Sequence, residues 1–274
     1  DIANELNPKN TNVIVGYKAK EVKHALSHER VNWIMQEKQL GTGDAVKYAI
    51  PNLIGQQTLI LYGDVPLVKI NELKKLIKTG EKGLSILTFN KINPTGYGRI
   101  VRGLNGVEAI VEEKDCSDVQ KEINEVNTGI MVADTKHLKN WLSLISNRNS
   151  QKEYYLTDIV ALAKKDNIKI NTIEANSEIT ISGVNSKIEL AKMERAIQLK
   201  KANALMKQGV TLLDPSRTDI RGHLDCGKDV VIDVGCIFEG KVKIGKNVTI
   251  GAYSILNDCE ILNDSIIKPY SHLE

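Results

Sequence analysis

Two oxygen donors far apart in the chain, Asp64 and Asn185, have the most chemistry to offer. Asp64 follows Gly63 at the end of Thr58–Tyr62 (TLILY), an apolar, β-branched run that predicts a strand buried on both faces. Val65-Pro66 stops that strand, because proline lacks the N–H the next ladder bond needs. A carboxylate is thereby left at the carboxyl end of a central strand, where open α/β sheets hold ligands. Asn185 closes Gly183-Val184-Asn185, directly ahead of a long helical stretch. One carboxylate and one amide oxygen are too few for Ca²⁺. They suit Mg²⁺, which keeps waters and takes its other oxygens from substrate phosphates.

Other stretches could serve the same ligand. The side-chain amides of Gln36 and Gln39 could pair with the edge of a base, and the turn Gly41-Thr42-Gly43 could offer N–H groups to a phosphate. Asn127, in Asn-Thr-Gly after a strand, could hold a sugar hydroxyl. Each stretch also has a plainer reading. Asp64 and Asn127 are common turn residues, Gln36 and Gln39 could be solvated helix positions, Gly41–Gly43 a simple turn, and Asn185 a helix N-cap.

The elements that would position these residues alternate. Strands are expected at Asn12–Tyr17, Thr58–Tyr62, Gly83–Phe89, Asn124–Ala133 and Ile168–Glu174, with a short apolar segment at Val31–Met35. Helical patterns lie between them, at Lys20–Leu26, in the run through Ile50, and at Lys69–Lys78, Thr135–Ile145 and Leu156–Lys165. That alternation predicts βαβ units and a mostly parallel sheet. From Pro94 to Asp115 glycines separate short alternating runs, which predicts hairpins over a sheet edge.

Ser186–Gln208 has a long helical pattern that would span about 35 Å, a length suited to an arm between domains. Gly209 ends it. After it the period becomes six. Ile232, Phe238, Ile244, Ile250, Leu256 and Leu262 recur at that spacing, each followed by Gly or a polar residue. Hexapeptide repeats are the mark of a β-helix.

With 274 residues, the chain has room for two domains. A net charge of +3 with 26% charged residues describes an ordinary soluble surface and argues against a nucleic-acid partner. Cys116, Cys226, Cys236 and Cys259 fall in no C-x-x-C or zinc spacing and read as free thiols in a reducing compartment. No apolar run approaches the roughly 20 residues of a membrane span, so a cytoplasmic protein is expected. The chain opens on Asp1 and stops within a repeat, so both ends read as cut.

The ordered set QLGTGDA, YGDVPL, PTGYGRI, VEEKD, NTGI, EYYLTDI and GVN, then a long helix and hexapeptide repeats, closely resembles a bacterial bifunctional enzyme family. Its members join an N-acetylglucosamine-1-phosphate uridyltransferase to a glucosamine-1-phosphate N-acetyltransferase. The resemblance runs over essentially the whole chain. It implies an α/β fold: a Rossmann-like nucleotide-diphosphosugar transferase domain over 1–185 lacking its first strand and Gly-rich loop, a helical arm over 186–209, and the start of a left-handed β-helix over 210–274. It implies uridylyl transfer from UTP to N-acetylglucosamine 1-phosphate, giving UDP-N-acetylglucosamine, with Mg²⁺. Such an enzyme supplies peptidoglycan and lipopolysaccharide precursors.

Carried across by position, Asp64 and Asn185 match the family's Mg²⁺ ligands and catalytic centre. Gln36, Gly41 and Thr42 match its uridine contacts, with Gln39 in the same stretch, and Tyr62 and Gly63 line its nucleotide site. Gly98, Glu112 and Asn127 match sugar-binding positions, and Thr157 lies where the family closes over the sugar. The family's β-helix implies a homotrimer.

There are departures. The first phosphate-binding loop would precede Asp1, so weak UTP binding is expected. Position 44 is Asp where the family commonly has His. The acetyl-CoA site and catalytic His would lie on later coils, and His272 is not their counterpart. Two alternatives stand beside this reading: a glucose-1-phosphate nucleotidyltransferase with a β-helix tail, and a non-catalytic assembly module.

Overall fold

The computed structural model describes residues 2–81 and 83–274, which form two compact units, Asp1–Gly183 and Val184–Glu274. In the first, helix α1 (Ile2–Glu5) precedes a small parallel pair, β1 (Asn12–Val15) with β2 (Asn32–Met35), joined through α2 (Ala19–Ala25). This is the expected βαβ connection. Helix α3 (Thr42–Ala49) then runs into a short 3₁₀ turn in which Pro51 occupies an early position. Strand β3 (Gln57–Ile60) and helix α4 (Ile70–Thr79) follow.

The main sheet adds β4 (Leu84–Asn90), the hairpin β5 (Arg99–Gly103) and β6 (Gly106–Val111), and, after α5 (Asp118–Lys121), β7 (Glu125–Asp134). Helices α6 (Thr135–Leu144) and α7 (Asp158–Lys165) precede its last strand, β8 (Ile170–Glu174). Strand order is β6-β5-β7-β4-β8, with β3 also paired to β7.

The sheet is mixed, not mostly parallel. Only β4 and β8 pair in parallel, whereas β7 runs antiparallel to β3, β4 and β5. The reason is the length of β7: its ten residues serve β4 along one edge and both β3 and β5 along the other. Burial on both faces belongs to β4 and β7. β3 is only partly buried except at Ile60, because β7 is its one strand partner among the described residues.

Alternate residues of β4 and β7 feed two cores. Ile86 and Met131 join Leu138, Trp141 and Leu156 under α6 and α7, while Leu87, Ile130 and Val132 join Leu73 and Leu76 under α4.

The second unit opens with α8 (Lys187–Lys207). Its N-cap is Ser186, whose hydroxyl accepts from the Glu189 N–H, and the Glu189 carboxylate accepts from the Asn185 N–H. Asn185 is therefore not the cap. At the other end Gly209 takes φ +98°, which ends the helix in the left-handed region.

Nor is α8 a free arm. Ala202 and Leu205 lie in the unit's core, and the buried Gln198 side chain acts as a strand partner: its Oε1 accepts from the Ile220 N–H at 2.7 Å and its Nε2 donates to the Ile220 carbonyl at 3.2 Å.

The remaining strands are two or three residues long except for the eight-residue β10 and β12: β9 (Thr211–Leu212), β10 (Asp219–Cys226), β11 (Val231–Ile232), β12 (Ile237–Ile244), β13 (Thr249–Ile250), β14 (Ile255–Asn257), β15 (Glu260–Ile261), β16 (Ile266–Ile267) and β17 (His272–Leu273). All pair in parallel, in the orders β10-β12-β14-β17 and β9-β11-β13-β16, with β15 on β12.

Partners such as Ile220, Phe238 and Leu256 are eighteen residues apart. The next step is shorter: Ile244 pairs with Ile261, and Leu256 with Leu273. Five of the six repeat positions, Ile232, Phe238, Ile244, Ile250 and Leu256, are at most 2% exposed. Leu262 is 72% exposed, and Ile261, at 8%, takes the inward position in its place. One residue is missing from the turn around Asp258, a left-handed residue at φ +44°, and the frame of six slips by one.

Candidate active site

The site begins at an irregularity in β7. Between the pairs Ile86–Met131 and Thr88–Asn127 the register shifts, leaving Thr128, Gly129 and Ile130 as a bulge. The motif Asn-Thr-Gly supplies its own ties. Asn127 Oδ1 accepts from the Gly129 N–H at 3.0 Å, and the Thr128 hydroxyl accepts from the Ile130 N–H while donating to the Leu87 carbonyl at 2.8 Å. Gly129 takes φ +81°, and a Cβ there would stand 2.1 Å from the Tyr62 ring. Only glycine lets the aromatic ring approach the bulge this closely.

From this bulge a closed circuit of contacts gathers half of the candidate residues. Burial, and next the negative charge of Glu112, push the Tyr62 phenol up to about 12, while the neighbouring Thr42 hydroxyl pulls the other way and Asp64 adds to the rise. The phenol therefore keeps its proton at neutral pH. Thr42 Oγ1 accepts from the Leu156 N–H at 3.1 Å. The adjoining Thr157 is buried, and its hydroxyl donates to Glu112 Oε1 at 2.8 Å. Glu112 in turn faces Gly98, where a Cβ would come within 3.3 Å of Oε2. The Gly98 carbonyl accepts from the Asn127 N–H at 2.8 Å, which closes the circuit at the bulge.

Burial raises the Glu112 carboxyl above the ordinary glutamate range; the Thr157 hydrogen bond opposes this, and Asp115, Asp158 and Glu153 reinforce it. Asp158 is raised too, by burial first and then by Asp115. A ring of hydroxyl, amide and carboxylate groups beside backbone bared by glycine can take the hydroxyls of a sugar. Behind it, the buried Arg99 guanidinium sits 2.7 Å from the Glu113 carboxylate and donates to the carbonyls of Tyr97 and Lys121, fixing the glycine-rich turn. Motif reading missed Gly129 and Asp158, although both lie inside the motifs NTGI and EYYLTDI.

Gln36 and Gln39 are not helix positions. Gln36 follows the last residue of β2 and is 8% exposed; its Nε2 donates to Asp44 Oδ2 at 2.8 Å and to the Gly41 carbonyl at 3.3 Å. Gln39 Nε2 donates to the Gln36 carbonyl at 3.1 Å, so this amide is spent on the loop. The Gly-Thr-Gly turn serves packing first. Gly41 has φ +112°, a Cβ there would strike the Tyr154 carbonyl at 2.6 Å, and the Gly43 N–H already donates to that oxygen. Gly43 thus has no N–H to offer a phosphate.

Asp64 is exposed in the turn after β3, and its carboxylate accepts no hydrogen bond and makes no ion pair among the described residues. Gly63 beside it is exposed, with open space where a Cβ would stand. Asn185 is also exposed, and only its backbone N–H is engaged. Asp64 lies in the first unit and Asn185 in the second. Each by itself, an exposed carboxylate or an exposed side-chain amide oxygen, is a ligand type that Mg²⁺ accepts when its other ligands come from substrate and water. No group of three His, Cys, Asp or Glu able to cage a metal occurs among the described residues. A cavity of about 660 Å³ opens at the other end of β3, lined by Gly55, Gln57, Asp134, Lys136 and Lys139, and shares no residue with the circuit.

Fold and site together define a mixed α/β protein. A solved protein described as a glucose-1-phosphate thymidylyltransferase from Bacillus anthracis shares the fold, with a TM-score of 0.55 and 16% identity over 70% of this chain and 77% of that one. No family model matches. The sequence relatives are more specific. The chain is 48% identical to the bifunctional protein GlmU of Nitrosospira multiformis and 49% identical to that of Janthinobacterium sp., each over 100% of its length. It is 46% identical to the GlmU of Neisseria meningitidis serogroup B over 99%. The resemblance read from the motifs is thereby borne out. The chain spans about three fifths of the length of these relatives, 60%, 61% and 60% respectively.

Proposed function

We propose that the first unit binds a uridine sugar nucleotide and transfers uridylyl from UTP to N-acetylglucosamine 1-phosphate. The observation that carries this reading is the circuit through Tyr62, Thr42, Thr157, Glu112, Gly98 and Asn127, which gathers at one bulge residues drawn from separate motifs. In the transfer a phosphate oxygen of the sugar 1-phosphate attacks the α-phosphorus of UTP. The bond from that phosphorus to the bridging oxygen breaks, and pyrophosphate leaves with the electron pair. The protein's task is alignment of the two substrates. Gln36, Gly41, Thr42, Tyr62 and Gly63 hold the nucleotide, with Gln39 bracing their loop. Gly98, Glu112, Asn127 and Thr157 hold the sugar. Asp64 and Asn185 would hold Mg²⁺, which when bound neutralises phosphate charge.

The same reading makes 1–185 the catalytic domain, 186–209 a connecting helix, and 210–274 the beginning of a left-handed β-helix. The parallel pairing at an eighteen-residue step, three hexapeptides to a coil, supports the last assignment. Homotrimer formation through that β-helix, acetylation of glucosamine 1-phosphate from acetyl-CoA by the full-length enzyme, and cytoplasmic supply of cell-wall precursors complete the proposal. No helix among the described residues is long and apolar enough to cross a membrane.

The test is pyrophosphate release from UTP and Mg²⁺ with N-acetylglucosamine 1-phosphate, compared with glucose 1-phosphate. Preference for the acetylated sugar is expected, and equal or reversed turnover would point to another sugar. Asp64→Ala should lower turnover by about two orders of magnitude or more. Full activity in that variant would remove the ligand assignment.

A further inference from the structure

Asp44 lies in the first turn of α3, and nothing in the reaction above uses it. Its place in the structure gives it a part. We infer that Asp44 is a positioning residue for nucleobase selection: it holds the Gln36 amide so that only the carbonyl oxygen is left for the base. The inference rests on the proposed uridine-nucleotide reading and sharpens it.

A side-chain amide has two N–H donors on one side and an acceptor oxygen on the other, and which way it points follows from its partners. Here both partners of Nε2, the Asp44 carboxylate at 2.8 Å and the Gly41 carbonyl at 3.3 Å, are acceptors. Turning the amide over would set its oxygen against two oxygens, so the orientation is dictated by charge. Gln36 Oε1 accepts no hydrogen bond among the described residues and is not among the buried polar atoms left without a partner. It is therefore an acceptor open to a ligand.

Supporting contacts keep this frame rigid. Asp44 lies in the first turn of α3, where the helix dipole favours an anion. The Gln36 backbone is held at both ends, its N–H donating to the Val15 carbonyl and its carbonyl accepting from Gln39. A fixed acceptor suits a pyrimidine whose ring nitrogen carries a proton, as N3 of uracil does. Cytosine presents a lone pair at N3, and two acceptors would face each other. A free amide could rotate to satisfy either base; one pinned by Asp44 cannot.

The test compares binding of UDP and CDP to the unmutated chain, Asp44→Ala and Asp44→Asn, by calorimetry or NMR titration. The unmutated chain should favour UDP, and Asp44→Ala should reduce that preference roughly tenfold, the worth of one properly aimed hydrogen bond. Asp44→Asn keeps an acceptor oxygen in place and should retain the preference. An unchanged UDP-to-CDP ratio in Asp44→Ala would overturn the inference while leaving the uridine reading intact. An unmutated chain that binds UDP and CDP with no preference would defeat the reading itself. One readout needs no variant: the Gln36 side-chain amide protons of the unmutated chain should exchange slowly with solvent. Fast exchange would overturn the inference even if Asp44→Ala fails to fold.

Discussion

Glu112 shows how a single residue couples binding to stability. Burial raises its carboxyl, so the folded protein holds that proton more tightly than the unfolded chain does. Stability contributed by this group is present at low pH and falls as pH rises from the ordinary glutamate range through the raised folded value. Glu112→Gln removes the dependence. In urea titrations across the acid-to-neutral range, the variant should gain on the native protein as pH rises and lose sugar affinity throughout. Identical pH profiles would mean that the carboxyl is not strained by burial. The identities of Gln36, Glu112, Asn127 and Thr157 were legible as motif positions. Their partners were not, because Thr157 reaches Glu112 and Gln36 reaches Asp44 only through the fold.

At the scale of elements, the bulge in β7 and the docking of α8 each hang on one side chain. Gly129→Ala would add a strained φ and a clash with the Tyr62 ring, costing about 2 kcal/mol or more and opening the site. Equilibrium unfolding measures the first effect and nucleotide titration the second. Gln198→Leu would leave the buried Ile220 N–H unpaired, whereas the Ile220 carbonyl keeps Lys201 Nζ at 2.6 Å. The expected loss is roughly 1–3 kcal/mol, with faster hydrogen exchange at Ile220.

Most helices and strands were readable from periodicity to within a few residues. Sheet direction was not, since a buried run looks alike in parallel and antiparallel company. The hexapeptide frame was right as far as Leu256 and failed at Leu262, because one residue lost from a turn moves every later position without changing the local pattern.

At the scale of the molecule, the chain divides just before Asn185, so the proposed metal ligands belong to different compact units. Mn²⁺ substituted for Mg²⁺ reports on both. With UDP-N-acetylglucosamine present, its affinity should fall about tenfold or more in Asp64→Ala and likewise in Asn185→Ala. Loss in the first variant alone would leave Asn185 out of the site. Composition and motif order made a two-part chain legible, but not the attachment of α8 to the second unit, which depends on Gln198, Ala202 and Leu205 meeting strands later in the sequence. Where the ligand sits decides the function of the first unit, and NMR titration of the labelled chain with UDP-N-acetylglucosamine measures that. Saturable shifts at Gly98, Glu112, Asn127, Gly129 and Thr157 are predicted. Shifts confined to the far end of β3, around Gly55, Gln57 and Lys139, would contradict the proposed function.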